Sequence, residues 1–195
     1  MTWQEYVIWT DETALPVASN PAYLVIGLAE ELHELDAALS AIVAVDLGNK
    51  KRALREGLSE AEATNRLGVA KQRIVAELGD SLWYLARLCR VSGVVGVEAR
   101  ASEALSALVT PRTREDLQAE MRAWRSLADA LGRQPGRDLV EDLMDNSLFL
   151  LYPTAASLWS MAGLVGGLEV VLDANCSKLL DRKQRDAIRG AGDGR

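Results

Sequence analysis

Apolar residues return every three or four positions along almost the whole chain, the spacing of helices that bury one face. After Asn20-Pro21, residues Leu24, Leu28, Leu32, Leu35 and Leu39 fall on one side. Asparagine caps a helix well and proline suits its first position, so a helix is expected to start there and to end near Gly48. Thr2-Trp3-Gln4-Glu5 has the form of a capping box and opens an earlier helix, expected to reach about Ala14. Residues 50–57 read as a basic connector. Ser59-Glu60-Ala61-Glu62 is a second capping box, opening a helix to about Val91, with Gly68 as a point of interruption. Further helices are expected over residues 97–109, 113–131, 137–152 and 165–182. Thr110-Pro111 and Gln134-Pro135-Gly136 separate the first three, Pro153 should stop or kink the third, and a glycine-rich basic tail closes the chain. Runs of β-branched residues are short and hairpin signals nearly absent. The fold class is therefore all-α, a helical bundle with short connections.

The length, 195 residues, suits one domain. Acidic residues outnumber basic ones by 28 to 22, for a formal charge of −6. That balance speaks against nucleic acid as a partner, since such binding needs a basic surface. It still permits a small phosphorylated ligand, because a metal ion and two basic side chains reverse the charge locally. Cys89 and Cys176 lie in apolar helical patterns without C-x-x-C spacing, which favours buried thiols over a disulfide. No signal peptide is recognisable, and no apolar run approaches the roughly 20 residues of a membrane span. No membrane partner and a cytoplasmic location are expected.

Two acidic runs carry the candidate chemistry, Glu30-Glu31-Leu32-His33-Glu34 and Glu77-Leu78-Gly79-Asp80. Residues three apart are neighbours on a helix, so Glu31 can meet Glu34 and Glu77 can meet Asp80, and each like-charged pair costs stability unless a cation compensates it. At about 100° per residue, Glu31 lies roughly 60° from the centre of its apolar stripe and Glu34 roughly 120°. Glu77 lies about 100° and Asp80 about 160° from the stripe of Leu78, Leu85 and Cys89. If the two helices are antiparallel neighbours, the pairs converge on one seam. Hard oxygen ligands there suit magnesium or manganese. A solvated acidic face is the better explanation of either pair alone; two such pairs on separate helices, each beside an apolar stripe, bring the metal reading level with it. A ferritin-like site would need two E-x-x-H motifs, and the chain has a single histidine, His33.

At these residues the chain resembles the MazG-like, all-α nucleoside triphosphate pyrophosphohydrolases, whose pattern is E-E-x-x-E, a spacer, then E-x-x-D. The flanking Gly27-Leu28-Ala29 and the stretch from Glu77 to Ala86 look like that family's helices. Asn175-Cys176-Ser177-Lys178-Leu179-Leu180-Asp181-Arg182 resembles its N-x-x-K-L-x-x-R helix, and the tail from Arg182 to Arg195 resembles the glycine-rich ending of some members. These blocks cover about half the chain. The spacer between Glu34 and Glu77 is longer than usual in the family, and residues 94–161 have no counterpart in it. The expected organisation is one domain over residues 1–195, of the all-α pyrophosphatase type, with a helical insertion at 94–161.

The resemblance implies that Glu31, Glu34, Glu77 and Asp80 bind Mg²⁺, with Mn²⁺ as a substitute, and that Glu30 and Glu34 serve catalysis, Glu30 as an outer carboxylate or by placing the attacking water. A solvent-facing Glu30 is the alternative. The implied reaction cleaves a nucleoside triphosphate, with deoxy and non-canonical ones among the candidates, to the monophosphate and pyrophosphate. Asn175, Lys178 and Arg182 share one helix face, and Asn175 sits in an apolar stripe, where it needs a partner: a nucleotide, another side chain or water. Lys178 and Arg182 would meet phosphates, or else act as ordinary cations near a helix C-terminus. Trp83 and Tyr84 would stack on a base, or else belong to the core. The resemblance also implies a homodimer or higher homo-oligomer. The competing function is a catalytically inactive nucleotide sensor, or a helical interaction module, of the same fold.

Overall fold

The computed structural model describes residues 1–107, 114–133 and 137–185. The expected breaks at Thr110-Pro111 and Gln134-Pro135-Gly136, and most of the tail, lie outside them. Seven α-helices run through the described residues: α1 Trp3–Trp9, α2 Pro21–Glu56, α3 Glu60–Ser92, α4 Val97–Ala107, α5 Arg114–Arg133, α6 Arg137–Leu164 and α7 Leu168–Gln184. No strand occurs among the described residues, so the all-α expectation holds.

The caps act as their sequences require. Thr2 Oγ1 accepts from Glu5 N while a Glu5 carboxylate oxygen accepts from Thr2 N, a complete capping box. Asn20 Oδ1 accepts from Ala22 N at 2.9 Å, ahead of Pro21. Ser59 Oγ accepts from Glu62 N at 3.3 Å. Gly57 and Gly93 close α2 and α3 in the left-handed region, at φ 69° and 66°.

Three boundaries differ from expectation. α1 ends at Trp9 and passes into a 3₁₀ turn, Thr10–Glu12, where Thr10 and Thr13 are buried and Thr10 Oγ1 bonds back to Val7 O. α2 does not stop near Gly48 but runs on to Glu56, taking in the basic connector. A glycine inside a helix costs only about 1 kcal/mol, and Asn49 beside it is buried, donating to Ala63 O of α3. α6 continues through Pro153 to Leu164. Leu151, Thr154, Ala155, Ala156 and Leu158 are buried around the proline, and that packing outweighs the lost backbone bond. α3 likewise passes Gly68 without a break.

α2 and α3 form a long antiparallel hairpin, since Asn49 meets Ala63 at one end and Gly27 meets Tyr84 near the other. Leu24, Leu28, Leu32 and Leu35 of α2 and Leu78, Leu82, Leu85 and Leu88 of α3 are fully buried in one core. α5 lies along α2, α6 packs on α4 and α5, and α7 packs on α3. No single described helix is long and apolar enough to cross a membrane.

Candidate metal centre

Antiparallel pairing places the start of α2 beside the end of α3, and this brings the two acidic runs together. Carboxylate oxygens of Glu31, Glu34 and Glu77 all lie within 4.8 Å of one another, and all three residues are half-buried. Glu30 is exposed on the solvent side of the same turn. Arg73, one turn before Glu77, places its Nε 3.6 Å from Glu77 Oε1. Three carboxylates gathered from two helices form an all-oxygen donor set, which fits Mg²⁺ or Mn²⁺ and leaves positions for water and phosphate oxygens.

Close helix approach near this cluster depends on Gly27. A Cβ there would stand 2.1 Å from Cε1 of Tyr84, whose ring lies against the α2 backbone one turn before Glu31. Tyr84 is buried, its hydroxyl 3.5 Å from that of Tyr23. Burial, the Tyr23 bond and the flanking carboxylates of Glu31 and Asp80 push its phenol far above the ordinary value.

Asp80 stands outside the triad. Lys178 Nζ forms an ion pair with its Oδ1, and Asn175 Nδ2 donates to the same oxygen at 3.0 Å. Asn175 is buried on α7 and lies against α3 at Gly79, where a Cβ would stand 2.8 Å from Asn175 Nδ2. Its Oδ1 accepts from the hydroxyl of Tyr6 at 2.8 Å. The polar residue expected in the apolar stripe of α7 thus has side chains as partners on both ends of its amide. Sequence reasoning did not single out Tyr6; its only signal was a hydroxyl-bearing ring on the apolar side of α1, three residues from Trp3.

Of the other candidates, Arg182 is half-buried near the end of α7. Trp83 is half-buried against the core and donates from Nε1 to Thr13 Oγ1 at 3.1 Å. A cavity of about 430 Å³ lies between α3 and α7. Val75, Ala76, Val165 and Ala174 line it with Lys71 and Lys178, and it touches Asn175. Both cysteines are free and buried, which pushes the Cys89 thiol up to about 12.

No protein-family model, no curated protein and no solved structure matches this chain.

Proposed function

We propose that this chain is a Mg²⁺-dependent nucleoside triphosphate pyrophosphohydrolase of the MazG-like, all-α type, active in the cytoplasm on a canonical or modified nucleotide. The observation that carries this reading is the meeting of Glu31, Glu34 and Glu77 at one seam. Three half-buried carboxylates so close together repel one another, a cost that a bound divalent cation would offset. The seam would hold Mg²⁺ or Mn²⁺ through these three, with Asp80 one turn further along α3. The bound ion would neutralise phosphate oxygens and polarise phosphorus toward attack by water. Glu30 and Glu34 would orient that water and take its proton on a carboxylate oxygen. Lys178 and Arg182, on one face of α7, would receive phosphates, with Asn175 fixing the face from behind. Of the two aromatics, Trp83 has surface left to offer a base, while the ring of Tyr84 is taken up by packing on α2. A homodimer or higher homo-oligomer belongs to the same reading. Exposed Val43, Leu47 and Val69 on the far half of the α2–α3 hairpin support it.

Glu31→Gln and Glu77→Gln should each reduce Mg²⁺-dependent turnover by at least about a hundredfold, while Arg125→Ala, exposed on α5, should retain it. Steady-state kinetics with each variant checks this. Undiminished turnover in both glutamine variants would remove the triad from the mechanism.

One observation favours a second reading. Asp80, expected among the ligands, is held by Lys178 and Asn175, as it would be in a nucleotide sensor without catalysis. Calorimetry separates the two, because a sensor binds Mg²⁺-nucleotide and releases no product.

A further inference from the structure

Tyr6 has no exposed surface, and its hydroxyl donates to Asn175 Oδ1. Asn175 has little freedom of its own. Its side chain runs so close to the α3 backbone that a Cβ on Gly79 would stand 2.9 Å from Asn175 Cβ. That contact fixes the path of the side chain and leaves one choice, which end of the amide faces which neighbour. Asp80 Oδ1 accepts from the NH₂ end and would be repelled by the amide oxygen, so Asn175 Oδ1 faces Tyr6. Oδ1 lies inside the core and needs a donor there, which the Tyr6 hydroxyl supplies. Burial, with Cys176 and Asp80 nearby, holds the phenol well above its ordinary pKa, so it keeps the proton it donates. Nδ2 then donates to Asp80 Oδ1, the oxygen that Lys178 also meets. The chain of donors runs from α1 through α7 to α3 with its direction set at each step.

We infer that Tyr6 is a positioning residue for the carboxylate seam: through Asn175 it fixes the orientation of Asp80, which follows Glu77 by one turn on α3 and borders the triad of Glu31, Glu34 and Glu77. The inference rests on reading that seam as a divalent-cation site. It adds α1, which contributes no ligand, to the parts on which cation affinity depends. Partners that orient metal-binding side chains from behind typically change affinity by about 10–100-fold when removed.

Tyr6→Phe keeps the ring in place and removes only the donor. Calorimetric titration of the full chain with Mn²⁺, in the absence of nucleotide, should show Kd rising by about tenfold in this variant. In an Asp80→Asn background the same substitution should change Kd by less than about twofold, because the chain of donors ends at Asp80. The side-chain NH₂ resonances of Asn175 should shift in Tyr6→Phe while the circular dichroism stays that of the wild type. Should Tyr6→Phe fail to fold, Asn175→Ala takes its place, with the same rise in Kd expected. If the wild type binds Mn²⁺ and Tyr6→Phe leaves Kd unchanged or tightens it, the positioning role is overturned and the cation site stands. A rise of equal size in both backgrounds would mark a general packing effect and overturn the role as well. No Mn²⁺ binding by the wild type would overturn the cation site itself, and the inference with it.

Discussion

Gly27 and Gly79 set how closely the site's helices approach, each at a contact that no larger residue allows. An alanine methyl at Gly27 would overlap the Tyr84 ring, and one at Gly79 would overlap the Asn175 amide. Gly68, by contrast, has nothing within 4 Å of where its Cβ would be. Gly27→Ala should therefore destabilise the fold by about 1–3 kcal/mol through overpacking, although alanine is the better helix former. Gly68→Ala should stabilise it by about 0.5–1 kcal/mol. Urea unfolding of both variants checks this, and equal shifts in the same direction would refute the close approach at Gly27. Both glycines stand in the motif-bearing runs of the sequence, yet spacing alone does not say which side chain lies over them. The angular position of Glu31, at the edge of its apolar stripe, already placed it at the packed seam. Asp80 was further round its own helix, and only α7, remote in sequence, determines that it faces Asn175 and Lys178.

The helices themselves were legible in the spacing of leucines, and the starts of α1, α2 and α3 in their caps. Helix ends were less legible, because they depend on what packs around them. Gly48 and Pro153 both look like stops, and buried neighbours carry the helix past each. The joining of α5 to α2 had no sequence signal at all. Arg114 donates to both oxygens of Asp36 and to Ser40 Oγ, and Gln118 Nε2 donates to Asp36 Oδ1 at 3.1 Å. Asp36 lies two residues after Glu34, so this clamp ties α5 to the helix that carries half the acidic seam. The Arg114 guanidinium holds the Asp36 carboxyl below its ordinary value, partly opposed by burial. A lowered folded-state pKa gives stability that is present above the unfolded value, about 3.9, and lost as pH falls through the folded one. The stability margin of the wild type over Asp36→Asn should thus be full near neutral pH and shrink below about pH 4. Thermal unfolding across that range measures it; a margin constant with pH would contradict the ionised clamp.

For the whole molecule, one antiparallel hairpin does most of the organising. α2 and α3 bring the acidic runs together, α7 lays a basic face beside them, and α1 reaches the same place through Tyr6. α4, α5 and α6 fill the other side, where Trp124 Nε1 donates to Thr154 Oγ1 and Ser157 Oγ to Glu120 Oε1 across α5 and α6. The stretch without counterpart in the resembled family thus packs through its own buried polar pairs and meets α2 at Asp36. The proposed phosphorylated substrate would be drawn in, despite the formal charge of −6, by a metal ion and a few cations. The most direct test of the account is ³¹P NMR of the full chain incubated with Mg²⁺ and a panel of canonical and modified nucleoside triphosphates. The account predicts that at least one is converted to monophosphate and pyrophosphate, and that Glu31→Gln prevents it. Release of orthophosphate and the nucleoside diphosphate instead, or no product from any nucleotide at high protein concentration, would contradict it.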